Sequence, residues 1–518
     1  MMTLLRKSIR RAAAGALLCM PGALMLQGCT DLTEVPQDAL TPDNAFKTDA
    51  EVLAGVASVY AGLRATEWGY YNLSEITTDE MIVPTRGNDW YDNGRWLEIY
   101  KQSWTASSGS ALEDMNGTWN GLFSGVAKAN LLIDVITKAG GPTAEVTLAE
   151  LRTLRAWDYY MLMDFFGGVP LVTGTKVEAT ERVSRDSIFK FIESELNETR
   201  TVLPPSWPAQ YNGRVTRGVA NAILASLYLN AQVYTGTVTA SGLTKGAARW
   251  QDASDAADRV LGSGIYTLAS GANWRRNFTP DNHDSQENIF VISHTAQPGL
   301  GTSLPQRTLH YGQLTPGPWN GFATIAETYR AFDPADKRRE VLLAGPQTNF
   351  NTGAPVIFRG AQLSYTDTIG NETQAEQDEG PRFNKFVPLP GAPSGDAHPN
   401  NYPFFRLGEM HLIKAEALNE LGQTAAAIAQ VNILRDRQFT PPKPLSLGLS
   451  QSQARAAILN ERLFELIAEA KRRQDLIRAG TFTDARRFKP AQPGFKILFP
   501  IPATQIQTNP LLTQNAGY

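Results

Sequence analysis

LGEMHLIKAEALNELGQTAAAIAQVNILRDR, residues 407–437, is the stretch that decides the fold. Its first half sets Ala415, Ala417, Leu418 and Leu421 at helical spacing, Gly422 interrupts, and Ala426, Ile428, Val431 and Leu434 resume the period. Apolar residues recurring every three to four positions mark the buried stripe of an amphipathic helix. Glycine most readily takes the left-handed conformation that ends one. The spacing therefore predicts two short helices joined by a tight turn. Small residues at their contact let the backbones approach closely, as in tetratricopeptide (TPR) helix pairs.

Moving outward, the same pattern recurs upstream. RGVANAILASLYLNAQVYTG (217–236) is followed by RWQDASDAADRVLGSG (249–264), with Ala253, Ala256, Ala257 and Val260 on one face. LRTLRAWDYYMLMDFFGGVPLV (151–172), stopped by Gly167, Gly168 and Pro170, precedes DSIFKFIESELNETRTVL (186–203). Val52, Val56, Val59, Tyr60 and Leu63, then Leu122, Val126, Leu131 and Val135, make a further pair. The expected fold class is mostly α: four degenerate TPR-like pairs as a scaffold, with long loop-rich inserts and small β hairpins. Residues 271–400 are rich in Gly, Pro, Asn, Asp and Thr, with only short strand-like runs such as NIFVISH and APVIFRG, and form the principal insert. Downstream, ILNERLFELIAEAKRRQDLIRAG (458–480) reads as one helix that buries Leu459, Leu463, Leu466, Ile467 and Ala470 and is capped by Gly480. Its basic run Lys471-Arg472-Arg473, with Glu469 and Asp475 at helical spacing, reads as a solvated face.

The N-terminus is an export signal. Arg6, Lys7, Arg10 and Arg11 precede an apolar stretch from Ala12 to Leu26, too short and too broken by Pro21 and Gly22 to span a bilayer. Leu26-Gln27-Gly28-Cys29 resembles a bacterial lipobox, which makes 1–28 a lipoprotein signal peptide and Cys29 the lipidated residue. Of two cysteines, Cys19 lies in the removed segment, so the mature chain has no disulfide. Residues 29–45, polar and Pro-punctuated, suit a lipid-anchored tether, and 46–518 the body, divided into 46–270, the insert 271–400 and a helical part 401–518. A net charge of −3 on 518 residues with 19% charged residues describes an ordinary soluble body and carries no nucleic-acid signature.

Five segments identify the wider resemblance: RTLRAWDYYMLMDFFGGVPLV, RVTRGVANAILASLYLNAQVY, YPFFRLGEMHLIKAEALNELG, NERLFELIAEAKRRQDLIRAG and the ending LFPIPATQIQTNPLLTQNAGY. Together they resemble the SusD/RagB family of nutrient-binding outer-membrane lipoproteins. Leu463 and Phe464 stand where the family usually has a basic residue, and Ala516 replaces the usual Pro before Gly-Tyr. The resemblance implies four TPR units, a lipid anchor at the cell surface, and a partnership with a SusC-like TonB-dependent transporter to which captured glycan is delivered. The same architecture is thought to serve capture of peptides or other non-sugar nutrients as well.

Candidate ligand residues come from an aromatic concentration. Trp68, Trp90, Trp96, Trp104 and Trp119 are five of ten tryptophans within a tenth of the chain, joined by Tyr70, Tyr71, Tyr91 and Tyr100. A sugar ring stacks its flat C–H face on an aromatic ring while its hydroxyls seek polar partners. TTDEMIVPTRGNDWYDNGRW (77–96) supplies both kinds of group. The expected site is Trp90, Trp96, Tyr91, Trp68 and Tyr70 with Asp79, Arg86 and Asn88; Trp104 and Trp119 lean towards the core. The alternative is that these aromatics plug the core beneath a long loop. By resemblance, a second wall comes from the insert, where Trp319 in TPGPWNGF and Trp274 are the candidates. His283, His294, His310, His398 and His411 show no metal-ligand spacing, and no nucleophile or phosphate-binding motif occurs, so the chain is read as a binding protein without cofactor or catalysis. Adjacent carboxylates such as Asp79 with Glu80, or Glu113 with Asp114, are not marked out as an acid/base pair.

Overall fold

Helices that follow one another in sequence also pack against one another in space, the arrangement expected when each short amphipathic helix must bury its stripe on its neighbour. The computed structural model describes residues 48–107 and 109–518. The signal peptide, Cys29 and the tether lie outside the described residues. Helix α1 (Asp49–Gly62) is opened by a capping box of Thr48 and Glu51. The short α2 (Gly69–Glu75) and α3 (Arg95–Lys101) follow, then α4 (Leu112–Ala139) and α5 (Ala144–Phe166). α6 (Arg185–Val202), α7 (Arg217–Leu229) and α8 (Trp250–Leu261) complete the N-terminal part.

After the insert come α9 (Leu407–Glu420), α10 (Thr424–Gln438), α11 (Gln451–Leu466) and α12 (Arg472–Ala479). α1 packs on α4, α4 on α5, α5 on α6, α6 on α7, α7 on α8 and α8 on α9, which in turn carries α10 and α11. The chain is thus mostly helical, and Gly167, Gly422 and Gly480, all at positive φ, stand at the helix ends where the sequence places them.

The insert is irregular and carries small two-stranded pairs. APVIFRG forms a hairpin of Ile357–Phe358 with Ala361–Gln362. NIFVISH behaves differently: strand β1 (Asn288–Ile292) pairs antiparallel with β2 (Tyr402–Arg406), which leads straight into α9. Phe290 and Phe404 from this ribbon meet the ring of Trp157 edge-on at 5.5 and 5.1 Å, adding to the cover that α4 and α6 give α5.

The single helix predicted for 458–480 is corrected. α11 stops at Leu466, Ala468 and Ala470 take positive φ of 60° and 59°, and α12 starts afresh at Arg472. Both alanines are good helix formers, so local propensity argues the other way. Contacts from distant elements override it. Glu80 accepts the Ala468 N–H at 3.0 Å, Glu75 accepts the Ala470 N–H, and Lys385 donates to the carbonyls of Glu465 and Ile467 at 3.0 and 2.8 Å. The basic run is not a solvated face. Lys471, Arg472 and Arg473 are all buried, paired respectively with Glu409 (3.1 Å), Asp79 (2.8 Å) and Asp164 (2.7 Å).

Further buried cations clasp the insert to the C-terminal helices. Arg406, at the end of β2, reaches Glu287 at 2.8 Å, Glu465 at 2.7 Å and Glu469 at 2.7 Å. Arg437 of α10 shares Glu287 (2.8 Å) and Glu465 (2.5 Å), and Arg338 shares Glu465 (3.0 Å) while binding Asp336 and Glu461. Burial alone pushes up the Glu287 carboxyl, but Arg437 and Arg406 outweigh it and hold it down at about 2. The unfolded chain therefore binds more protons than the folded one between pH 2 and the ordinary glutamate value of 4.5. This contribution is complete above that window and is lost as pH falls through it. Glu287→Gln is expected to lower stability at pH 7 by roughly 3 kcal/mol and to flatten the acid loss between about pH 4.5 and 2. Denaturant titrations across that range check it; an unchanged acid slope would contradict the assignment.

Candidate functional site

Trp68 stands where the 3-10 turn Leu63–Glu67 passes into α2, and the residue is 43% exposed. The ring of Trp319, from the insert, lies 6.3 Å away at 26°, nearly parallel. Beneath them the buried Arg307 places its guanidinium 4.1 Å from the Trp68 ring centroid. Arg307 is itself fixed: it donates to the Glu67 carbonyl at 2.9 Å, to Asn72 Oδ1 at 3.1 Å and to Ser303 Oγ at 3.1 Å. Its burial lowers its pKa, with Glu67 opposing.

Trp90 completes the shelf. Its indole N–H donates to the Trp319 carbonyl at 2.7 Å, and its ring meets Trp96 and Phe322 edge-on at 5.5 and 5.4 Å. Gly321 is required here, because a Cβ at that position would sit 2.3 Å from the Trp90 ring. Trp90, Asp92 and Asn93 all adopt positive φ (62°, 38° and 55°). Such left-handed backbone at residues with side chains is costly and persists where surrounding contacts over-determine it, a pattern concentrated at ligand clamps. Asn88, Asp89 and Tyr91 are exposed beside it, Tyr91 at 58%, and the Tyr311 hydroxyl donates to Asp89.

Of the residues predicted from sequence, the structure brings together Trp68, Trp90 and Trp319, with Tyr91 and Asn88 at the edge. Five others are corrected. Trp96 is 3% exposed and donates its N–H to Asp92 at 2.6 Å, so it supports Trp90 from below. Tyr70 is buried, stacked on Phe165 at 4.7 Å. Trp274 is buried against Phe278 and anchors its loop. Arg86 is buried and spends its guanidinium on the carbonyls of Glu376 and Glu379, tying the 86–89 turn to the insert. Asp79 is half-buried and engaged by Arg472 through two 2.8 Å bonds; burial raises its pKa, but that pairing prevails and holds it below the usual range. Trp104 and Trp119 are core residues.

Arg307 and Tyr311 escape a reading based on tryptophan density. Both belong to RTLHYG, twelve residues or fewer before Trp319, and the only sequence signal is that proximity.

The carboxylates do not form a catalytic pair. Asp79 is bound by Arg472, Glu80 is buried with its carboxyl pushed well up by desolvation and by Glu75, and Asp114 is paired with Arg95. Among the described residues no group of three or more His, Cys, Asp or Glu is placed to hold a metal ion. His411 bonds Gln430 at 2.9 Å within the fold.

Two family models cover most of the body: one described as SusD family matches residues 320–518, and one described as starch-binding associating with outer membrane matches residues 39–229. The chain belongs to the SusD/RagB family. Starch-binding protein SusD of Bacteroides thetaiotaomicron is 26% identical over 511 residues, 87% of this chain and 86% of its own length. SusD-like protein P25 of Formosa agariphila is 23% identical over 94% of this chain and 96% of its own. Among solved structures, a SusD-like protein from Bacteroides fragilis superposes with a TM-score of 0.75 (19% identity; 91% and 97% covered). Surface glycan-binding protein A from Bacteroides thetaiotaomicron, in complex with laminarihexaose, does so with 0.72 (22% identity; 91% and 100% covered). These likenesses show the SusD-like fold.

The separation of shelf from support in this SusD-family chain is testable by stability. Trp96→Ala is expected to cost about 3–5 kcal/mol, as for a large buried aromatic, and Trp68→Ala about 1 kcal/mol or less. Denaturant melts of both variants check this; equal losses would contradict the placement.

Proposed function

We propose that this SusD-family protein is a cell-surface lipoprotein that binds poly- or oligosaccharide on the Trp68–Trp319 shelf and delivers it to a SusC-like TonB-dependent transporter. The observation that carries the reading is the shelf itself. Two segments far apart in sequence bring two indoles together nearly parallel, that of Trp68 open to solvent and braced by a buried guanidinium, that of Trp319 half-buried beside it. Flat aromatic faces flanked by Asn88, Asp89 and Tyr311 match the apolar face and peripheral hydroxyls of a sugar ring. The relatives point the same way: one is named a starch-binding protein, and one solved neighbour is titled as a complex with laminarihexaose.

Attachment through lipid on Cys29, with residues 29–45 as a flexible tether, would let the body move over a transporter mouth while staying at the membrane. An outer-membrane location agrees with the description of the model that matches 39–229.

The test is titration calorimetry against laminarihexaose, maltohexaose, other oligosaccharides and a peptide panel. A glycan is expected to bind, and Trp68→Ala and Trp319→Ala are each expected to weaken it about tenfold or more, the 1.4 kcal/mol or greater typical of an anchoring aromatic. Binding of peptides but no glycan, or affinity indifferent to both substitutions, would overturn the reading.

A further inference from the structure

The loop between α6 and α7, LPPSWPAQYNGRVT (203–216), carries an aromatic platform that the shelf does not use. Arg214 lies 3.9 Å from the Trp207 ring centroid and 5.3 Å from that of Tyr211, and the two rings meet at 6.3 Å. The guanidinium is held from below by Glu150 of α5, a carboxylate with no solvent exposure, through a two-pronged contact whose Nε arm is 2.9 Å. Tyr60 of α1 donates to the same carboxylate at 2.8 Å and accepts the Val215 N–H at 2.9 Å. Trp207 donates its N–H to the Val215 carbonyl at 2.8 Å. A surface loop is thus fastened rigidly to two helices, with its rings half-buried or open; Tyr211 is 36% exposed. Rigid positioning of this kind reduces the ordering cost of binding.

Tyr211 and Arg214 divide two clefts. On one side is a polar cleft of about 240 Å³, lined by Trp207, Asn212, His283, Gln286 and Asn288 as well as the dividing pair. Asn288 stands in its wall, its amide N–H directed to the Asn277 carbonyl at 3.4 Å. On the other side is a cleft of about 310 Å³ lined by Leu53, Tyr60, Arg64 and Val291. An aromatic ring between two openings, with Arg, Asn and Gln around it, has the chemistry of a sugar subsite. Neither cleft is lined by a residue of the shelf, yet Arg64 stands four residues before Trp68, on the same turn.

We propose that the Trp207–Tyr211–Arg214 platform is a second, weaker carbohydrate subsite that engages a further part of a long chain held on the shelf. The inference rests on the functional reading above. A second contact on one polymer acts at high effective concentration, so it strengthens binding of long chains and leaves short ones almost unaffected.

The experiment compares, for whichever glycan the wild type binds best, a hexasaccharide with its polymer: laminarihexaose with laminarin, or maltohexaose with soluble starch. Tyr211→Ala is expected to weaken polymer binding about fivefold or more while leaving hexasaccharide affinity on the shelf within twofold. The milder Gln286→Ala, on the exposed rim, is expected to move the polymer in the same direction. In the Trp68→Ala/Trp319→Ala double variant, residual polymer binding is expected to remain and to vanish on adding Tyr211→Ala. If Tyr211→Ala and Gln286→Ala both leave polymer affinity unchanged, the subsite is overturned and the shelf stands. A wild type that binds no glycan overturns both.

Discussion

A cluster of buried guanidiniums around Glu465, Glu287 and Glu469 is the constraint on which the rest of the molecule depends. Arg406, Arg437 and Arg338 converge on Glu465 from β2, from α10 and from the insert. Ion pairs withdrawn from water do not stabilise a fold by much relative to apolar packing, but removing one partner strands the others at great cost. The network ties the end of β2, α10 and the insert to the same buried carboxylates. Lys385 belongs to it through Glu469, and three residues earlier Arg382 donates to Asn320 Oδ1 at 3.3 and 3.1 Å. Phe383, between them, donates its N–H to Thr308 at 2.8 Å. The positions of Trp319 and Arg307 are thus set from the charged core outward.

The helical scaffold was legible in sequence because its signals are local. Apolar period, Gly167 after α5, Gly422 between α9 and α10, and Gly480 after α12 all act within a few residues of the structure they determine. The break at 467–471 had no such signal. No Gly or Pro marks it, and what bends the chain there is a set of acceptors and donors on Glu75, Glu80 and Lys385. The same blindness turned Lys471-Arg472-Arg473 into an imagined solvent face, since the carboxylates that bury them come from α9, from the segment after α2 and from α5.

The site was half legible for a related reason. Aromatic density located the region but could not tell a platform from its foundation: Trp90 and Trp96 differ by six positions, and only one reaches the surface. Exposure was decided by Phe322 and Gly321 from the insert, which complete the stack around Trp90. Trp319 was reachable through its tryptophan-bearing turn, whereas Arg307, which braces Trp68, looks in sequence like any other arginine of the insert.

The central claim is that ligand lies on the Trp68–Trp319 shelf. A crystal structure of the protein soaked with the oligosaccharide it binds most tightly tests this most directly. The account predicts a pyranose ring in van der Waals contact with the indole of Trp68 or Trp319, with a hydroxyl within hydrogen-bond reach of Asp89, Asn88 or Tyr311. Sugar bound elsewhere on the body, with that shelf bare, would contradict it.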